Sequence, residues 1–366
     1  MTRASNLSSM TIPNIALQRL YNQRLEGRKF KTPSEVVSWM GAVQGQEYPY
    51  AKWALGMRME KGTDDIVEQA FNSGAILRTH LMRPTWHFVT PADIRWMLEL
   101  TAPRVHAVVN YAYRQLEIDD ALCRRSNSAI AKALRDGKQL TREELRDMHQ
   151  KAGIDVASAA RMGFLMMRAE LDGIVCSGPR RGKQFTYMLL DERVPNPKSL
   201  RREDALVELT RRYFSSHGPA TLKDFAWWSG LTVADAKAGL AALGSEFIHE
   251  VIDRQTYWFS ASMSEVKDAS LTAHLLPVLD EYIVAYKDPS VIYDAAFAEQ
   301  AKNRNFVSSF AIRGQIVGEW KRALQKDAVV IAANPFAKLT AAEQRAFESA
   351  AHRYGEFLGL PVLYGL

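Results

Sequence analysis

The sequence contains few of the residues from which disulfide frameworks and metal sites are built. Cys123 and Cys176 are its only cysteines and stand far apart, so neither a disulfide framework nor a zinc site is predicted. The eight histidines are scattered, without the paired spacing of a helical zinc protease. These absences predict a protein that uses no metal and no other cofactor, and they fit a reducing, cytoplasmic location.

Long apolar runs and familiar catalytic motifs are also missing. No run approaches the length of a membrane span, and the polar residues 1–9 show no signal-peptide pattern. There is no Gly-x-Ser-x-Gly elbow. Residues 178–184 are one residue too short for a phosphate loop and lack its Ser/Thr, so we interpret them as a basic turn. No clustered carboxylates suggest a magnesium-dependent nuclease.

What is present is an ordinary globular composition with a basic balance. The chain has 366 residues, of which 47% are hydrophobic and 24% charged, as is usual for globular proteins. This length predicts two to four small domains. The formal net charge is +6 and the pI about 9.2, which suits an anionic partner such as nucleic acid.

The order of the predicted elements repeats along the chain. Each repeat consists of helices followed by a two-stranded hairpin, the order of a winged-helix unit. The hairpins are predicted over 76–81 and 85–89, over 174–176 and 185–190, and over 247–251 and 256–259. Preceding helices include 14–25, 102–116, 120–134, 159–171 and 204–214, and others capped by Thr32, Thr63, Thr141, Thr221 and Thr232. The predicted units span 10–101, 102–195 and 200–265.

The last part of the chain changes character. Strands are predicted over 275–282, 310–320 and 328–332, and a closing helix over 341–357. On a strand the adjacent Asp280 and Glu281 would face opposite ways, so they do not form a catalytic pair by themselves. The predicted fold class is α+β, with three tandem winged-helix units followed by a β-rich C-terminal domain over 270–366.

Gln44 and Gln46 are the candidate catalytic residues. Thr32 begins a helix that Gly41 and Gly45 weaken, so both glutamines are expected at a frayed helix end or a tight turn. A carboxamide donates and accepts hydrogen bonds but stays neutral. It is a poor general base, yet it can orient a water if the leaving group is already activated. The alternative is that both side chains simply face solvent.

The basic turn supplies candidate nucleic-acid contacts. Arg180, Arg181 and Lys183 lie between the two strands of the second predicted hairpin, where exposed cations can reach phosphates. Two alternatives stay open. A charged run is usually a solvated face, and winged helices also serve as protein-interaction modules or scaffolds.

Four segments in order carry a family resemblance. They are the Gln-x-Gln at Gln44 and Gln46, LRTHLMRPTWHF over 77–88, LPVLDEYIVAYK over 276–287 and GQIVGEW over 314–320. With these four segments taken together, the chain resembles the AlkZ-like winged-helix DNA glycosylases nearly end to end. The resemblance implies a C-shaped array of three winged-helix units and a β-rich domain around double-stranded DNA. It further implies excision of N-alkylated purines and unhooking of interstrand crosslinks.

The resemblance also implies roles for individual residues. Gln44 and Gln46 match the family's Gln-x-Gln motif, whereas a sister branch carries Gln-x-Asp. Arg83, Trp86 and His87 on the first hairpin are expected to contact DNA or the lesion, although packing in the core is the favoured explanation for Trp86. The expected protein is a monomeric, nucleoid-associated hydrolase of alkylated DNA. The rival is a non-enzymatic winged-helix transcription regulator.

Overall fold

The computed structural model describes residues 12–196, 198–264, 266, 270–297, 299–300, 302 and 306–365. The polar segment 1–9, for which no signal-peptide pattern was predicted, lies outside the described residues. The described chain mixes helices and sheets and opens with α1 (Ile12–Asn22). None of the helices in those ranges is both long and apolar enough to cross a membrane.

The first repeat follows α1 and forms one small sheet flanked by helices. Its elements are α2 (Pro33–Met40), β1 (Val43–Gln44), α3 (Tyr48–Gly56), α4 (Asp64–Ser73), β2 (Leu77–Leu81) and β3 (Arg83–Val89). The strand order is β1-β3-β2. Thr32 forms the predicted capping box on α2, and Thr63 caps α4.

Gln44 lies on a two-residue strand, not at a frayed helix end or in a turn as expected, and Gln46 lies in the bend that follows this strand. Helix α2 ends at Met40, and Gly41 turns the chain with a φ of 81°, a conformation that favours glycine. Val43 then pairs with Phe88 and Gln44 with His87. This pairing with β3 is a long-range contact that the local sequence pattern does not contain.

The second repeat has the same strand arrangement. Its elements are α5 (Pro91–Gln115), α6 (Asp120–Leu134), β4 (Leu140–Thr141), α7 (Arg142–Lys151), α8 (Ala159–Leu171), β5 (Val175–Ser177), β6 (Thr186–Leu189) and the short α9 (Leu190–Arg193). The strand order is β4-β6-β5. The helix predicted from residue 102 begins earlier, at Pro91. Pro103 lies inside this helix and does not interrupt it. The predicted boundary between 101 and 102 therefore falls within α5.

The third repeat again places two helices and a hairpin after a long helix. Its elements are α10 (Arg202–Ser216), α11 (Leu222–Ser229), α12 (Val233–Leu243), β7 (Phe247–Ile252) and β8 (Gln255–Ser260). Strands β7 and β8 pair, and Ala220 bridges to Trp258 beside them. Thr221 and Thr232 form the predicted capping boxes.

The C-terminal part is a sheet with one long helix against it. Its elements are β9 (Ala273–Leu276), the short α13 (Glu281–Val284), β10 (Ser309–Ile312), β11 (Gln315–Leu324), β12 (Val329–Pro335), α14 (Ala341–Leu358) and β13 (Val362–Tyr364). The strand order is β13-β12-β11-β10-β9. The strand predicted over 275–282 is wrong beyond Leu276, because Leu279 turns the chain with a φ of 64°. Asp280 then caps α13 by accepting from the Tyr282 N–H.

The buried apolar side chains of the described residues form two clusters. One contains mostly the second and third repeats, and the other joins the first repeat and α1 to the C-terminal sheet. Ala42 belongs to the first cluster and Val43 to the second. Strand β1, which carries Gln44, therefore lies where the two cores meet.

Candidate active site

The pairing of β1 with β3 gathers polar side chains on one face of the first sheet. Gln44 is the cross-strand partner of His87, so their side chains are neighbours on the same face. The ladder continues with the Gly45 N–H donating to the Trp86 carbonyl at 2.7 Å. Because strand side chains alternate, Arg83 shares the face of His87, whereas Trp86 points to the opposite face.

Gln44 is buried, with 6% of its surface exposed. Its Nε2 donates to Thr85 Oγ1 at 3.3 Å. Its Oε1 is buried without a hydrogen-bond partner among the described residues. Its backbone N–H donates to Glu281 Oε1 at 2.6 Å. The strand therefore holds the amide of Gln44 in place and leaves its carbonyl oxygen available as an acceptor.

Gln46 lies beside Gln44 but is half-buried. Its Oε1 accepts from the Trp86 N–H at 3.4 Å. The side chain lines a cleft of about 580 Å³ together with Tyr50, Phe306 and Arg322. Phe306 is 84% exposed at this cleft. Gln46 thus faces an open cleft, whereas Gln44 sits deeper.

His87 lies beneath the glutamines and is fully buried. Its Nδ1 lies 3.0 Å from the Thr85 carbonyl, which can only accept, so Nδ1 carries the proton. Its Nε2 is therefore an acceptor, and it has no partner in the described part of the chain. Burial lowers the pKa of His87 to about 3, and the charge of Arg83 adds to this. The imidazole is therefore neutral at physiological pH.

Arg83 brings a positive charge to the same face. Its Nε and Nη2 are buried and make no hydrogen bond to any described residue. Burial lowers the pKa of this guanidinium, and the charge of Glu281 opposes that shift. Unpartnered acceptors and donors thus come together beneath Gln44, an arrangement that ordered water satisfies in protein interiors.

Glu281 completes the face and was missed as a site residue. It is fully buried. Besides binding Gln44, it accepts from Trp228 Nε1 at 3.0 Å and lies 3.6 Å from His217 Nε2. Burial raises the pKa of Glu281, but His217 and then Arg83 outweigh this and hold it below its usual value. The sequence did contain a signal for this residue: Asp280 and Glu281 stand inside an apolar segment, and buried carboxylates require hydrogen-bonding or charged partners.

Trp86 occupies the opposite face of the sheet. Its indole N–H donates to Glu170 Oε1 at 3.2 Å, and the Arg78 guanidinium lies 4.3 Å from its ring centre. Arg78 also lies 4.6 Å from the Phe185 ring centre and donates to the Gly45 carbonyl at 2.8 Å. Trp86 is thus half-buried among these groups, and its ring lies on the face of the sheet opposite Gln44.

The basic turn packs against the first repeat. Arg180 Nη1 lies 3.5 Å from Glu68 Oε1, and Arg181 Nη1 lies 2.7 Å from Glu144 Oε1. Lys183 is exposed. Two of these three cations therefore already have carboxylate partners within the protein. In the described ranges, no group of three or more His, Cys, Asp or Glu side chains is arranged to hold a metal ion.

Comparison with known proteins defines the class. The profile of the family described as DNA glycosylase AlkZ-like matches residues 37–357, so the chain belongs to the AlkZ-like DNA glycosylase family and with it to the hydrolases that act on DNA. The interstrand DNA cross-link repair glycosylase of Streptomyces sahachiroi is 24% identical over 323 residues, which cover 83% of this chain and 85% of the relative.

The fold agrees with a solved structure of that family. The chain superposes on the Streptomyces sahachiroi DNA glycosylase AlkZ with a TM-score of 0.79 at 20% identity, covering 98% of this chain and 100% of that chain. At this identity the likeness shows a shared mixed helix-and-sheet fold.

Proposed function

We propose that the protein is a monofunctional DNA glycosylase that hydrolyses the N-glycosidic bond of cationic N-alkylated purines, namely N7-alkylguanine and N3-alkyladenine. By analogy with the name of the Streptomyces relative, its substrates include interstrand crosslinks. The observation that carries the proposal is the buried Gln44 carbonyl oxygen, which has no partner in the described chain and adjoins the neutral His87. This is a site for a water, without a titrating base.

The chemistry matches neutral side chains. An N-alkylated purine carries a positive charge, so it leaves with the bonding electron pair as a neutral base and its departure requires no acid. Positive charge then develops on the sugar. Gln44 and Gln46 orient a water toward the anomeric carbon, and their carbonyl dipoles favour the developing charge. The water oxygen bonds to that carbon as the bond to the base breaks, and the resulting oxonium loses its proton to bulk water.

His87 contributes to the same site from below. Its Nε2 accepts a hydrogen from water, and its low pKa keeps that lone pair available. Arg83 supplies donors toward the same space. In this arrangement a single water donates its hydrogens to Gln44 Oε1 and His87 Nε2, and its oxygen lone pairs stay free to accept from Arg83 or to attack the sugar.

We further propose that the repeats are winged-helix units, formed by α1 to β3, α5 to α9 and α10 to β8, and that a β-rich domain from β9 to β13 follows them. The strand orders β1-β3-β2 and β4-β6-β5, each with a helix before the first strand and two after it, support this. The protein acts as a monomer on double-stranded DNA. Proposed contacts to DNA or the lesion are Arg83, Trp86, His87, Arg180, Arg181 and Lys183.

The substrate class is tested with duplex oligonucleotides that each contain one altered base. We expect release of N7-methylguanine, detected as alkali-induced cleavage at the lesion, and far slower release of uracil and hypoxanthine, which leave poorly without protonation. The rate with N7-methylguanine should vary little across neutral pH, because a carboxamide does not titrate there and the pKa of His87 is about 3. Rapid release of uracil, or a bell-shaped pH profile centred near neutrality, contradicts the proposal.

The glutamines are tested by substitution. Gln44→Ala and Gln46→Ala should each lower the single-turnover excision rate by about a hundredfold or more, the usual effect of removing one oriented polar group from a water-excluded site. Gln344→Ala on the exposed face of α14 is the matched control and should excise at the wild-type rate. Wild-type rates in both site variants would show that these amides do not position the water.

A further inference from the structure

A second cleft lies on the face of the first sheet opposite to that of Gln44 and His87. Its volume is about 600 Å³, and it lies between the first and second repeats. Cations from both repeats line it: Arg78 from β2, Arg142 and Arg146 from α7, and Lys183 from the basic turn. The accompanying carboxylate is Glu143.

These cations form no direct ion pairs, although the charge of the buried Glu170 favours the charged form of Arg78. Within the described ranges, Arg78, Arg142, Arg146 and Lys183 form no ion pair with a carboxylate, and the Nε of Arg146 is buried without a hydrogen-bond partner. Arg180 and Arg181 of the same turn are paired with carboxylates. Concentrated like charge is unfavourable unless an anion neutralises it. The cations without an ion-paired carboxylate among the described residues therefore line the cleft, whereas Arg180 and Arg181 of the turn are ion-paired.

Aromatic rings line the same cleft as the cations. Trp86 and Phe185 line the cleft, and the Arg78 guanidinium lies 4.3 Å from the first ring centre and 4.6 Å from the second. A groove that combines cations with aromatic faces suits a nucleic-acid strand, since phosphates contact the cations and bases can stack on the rings. A small inorganic anion would use only the cations.

Arg78 connects this cleft to the glutamine strand. Its Nε donates to the Gly45 carbonyl at 2.8 Å and its Nη2 to the Gln46 carbonyl at 3.5 Å. A phosphate bound beside Arg78 would therefore lie one side chain away from the backbone that positions Gln46. The cleft is close enough to hold the same DNA molecule on which the glutamines act.

We propose that this cleft binds the phosphodiester backbone of the DNA substrate, with Arg142, Arg146 and Lys183 contacting phosphates. The inference rests on the proposed function for the choice of DNA as the ligand. It adds Arg142 and Arg146 to the protein's DNA-binding residues and gives Lys183 a defined location. It also makes the ion-paired Arg180 and Arg181 weaker contributors to binding.

The experiment measures binding of an undamaged DNA duplex by fluorescence anisotropy over a range of salt concentrations. Each phosphate contact adds about 0.9 to the steepness of log K against log salt. The double variant Arg142→Gln/Arg146→Gln should reduce that slope by about two and weaken low-salt binding on the order of tenfold or more. Arg142→Lys/Arg146→Lys, which keeps both charges, should retain most of the slope.

The control double variant is Arg201→Gln/Arg202→Gln, which removes two charges from exposed arginines paired with Asp204 and Asp235. It should keep the wild-type slope. If the control lowers the slope as much as the cleft variant, net charge alone explains the effect and the cleft assignment is wrong. A wild-type slope and affinity in a folded Arg142→Gln/Arg146→Gln protein also overturn it.

Two further measurements separate the remaining outcomes. Thermal unfolding by circular dichroism shows whether the cleft variant is folded. If it is not, Lys183→Gln in the exposed turn replaces it, with an expected slope decrease of about one and an unchanged slope as the contrary result. If the wild-type protein binds DNA as expected but releases no N7-methylguanine, the proposed function fails while the cleft assignment stands.

Discussion

At the scale of single residues, Glu281 connects three parts of the chain. One carboxylate oxygen binds the backbone N–H of Gln44 in the first repeat, and the other accepts from Trp228 in the third. The residue itself begins α13 in the C-terminal part. Its charge also lies near the otherwise uncompensated Arg83. We therefore expect Glu281 to hold Gln44 in position rather than to touch the substrate.

The substitution Glu281→Gln tests this role. A glutamine has only one acceptor oxygen, so either the Gln44 N–H or the Trp228 indole N–H loses its acceptor, at a cost of about 1–3 kcal/mol. We expect a lower unfolding free energy in urea. We also expect slower single-turnover excision by the folded protein, with the Kd for undamaged DNA unchanged.

Asp280→Asn is the matched control. Asp280 is equally buried and binds Arg58 through both oxygens at 2.9 Å, but it does not contact Gln44. It should destabilise the protein without slowing excision once the folded fraction is taken into account. Equal excision rates per folded molecule for Glu281→Gln and wild type would mean that Glu281 only stabilises the fold.

Residue identities were predictable where a motif names them, and their surroundings were not. Gln44 and Gln46 stood out from the sequence. The orientation of His87 depends on the Thr85 carbonyl, and the role of Glu281 on a contact 237 residues away. Neither partner is visible in a local pattern. The two arginines of the basic turn were predicted as exposed cations that reach phosphates, whereas Glu68 and Glu144 pair with both of them.

At the scale of elements, the turn between α2 and β1 determines where the glutamines lie. Gly41 has a φ of 81° and a ψ of −56°, a backbone conformation that residues with a Cβ rarely adopt. A Cβ there would also lie 3.4 Å from Trp228 Cη2. Any residue other than glycine therefore strains the turn that leads directly into β1, the strand of Gln44.

Gly41→Ala should lower the unfolding free energy by about 1–3 kcal/mol and also slow excision, because relief of the strain moves β1. Gly137→Ala serves as the control. Gly137 has a φ of 71°, and nothing lies within 4 Å of its Cβ position, so strain there should reduce stability but leave excision intact. Chemical denaturation and single-turnover excision check both variants, and a Gly41→Ala protein with full activity would refute the positional argument.

Elements were predictable in proportion to their local signals. The helices capped by Thr32, Thr141, Thr221 and Thr232 begin as predicted, because the capping residue and its partner are three positions apart. The two-residue β1 and the C-terminal β13 were not predicted. A strand that short has no measurable period, and each forms only by pairing with a distant strand.

At the scale of the whole molecule, histidines are buried in several parts of the fold. Among the described residues, burial lowers the pKa of His87, His149, His217 and His274, that of His87 to about 3. The unfolded chain protonates these side chains near their ordinary pKa of 6.5, whereas the folded chain resists protonation. The contribution of these buried neutral histidines to the free energy of unfolding is therefore fully present above about pH 6.5. It is lost as the pH falls toward their pKa values in the folded protein.

We expect the urea midpoint to be level between about pH 8 and 7 and to decrease steadily as the pH falls below about 6.5. His149→Gln, in the second repeat away from the glutamines, should make this decrease shallower. His352→Gln removes an exposed histidine and should leave the curve unchanged. A midpoint that does not change between pH 7 and 5 would mean that these histidines are protonated in the folded state.

The contact between Gln44 and Glu281 also has a consequence for biosynthesis. The acceptor of the Gln44 amide lies 237 residues later in the chain, and α13 follows all three repeats. A ribosome therefore releases the first repeat well before it has made the residue that anchors β1, the strand of Gln44. A nascent or prematurely terminated chain without α13 lacks this anchor for Gln44. If Gln44 acts as proposed, we expect base excision to begin only after Glu281 has been synthesised.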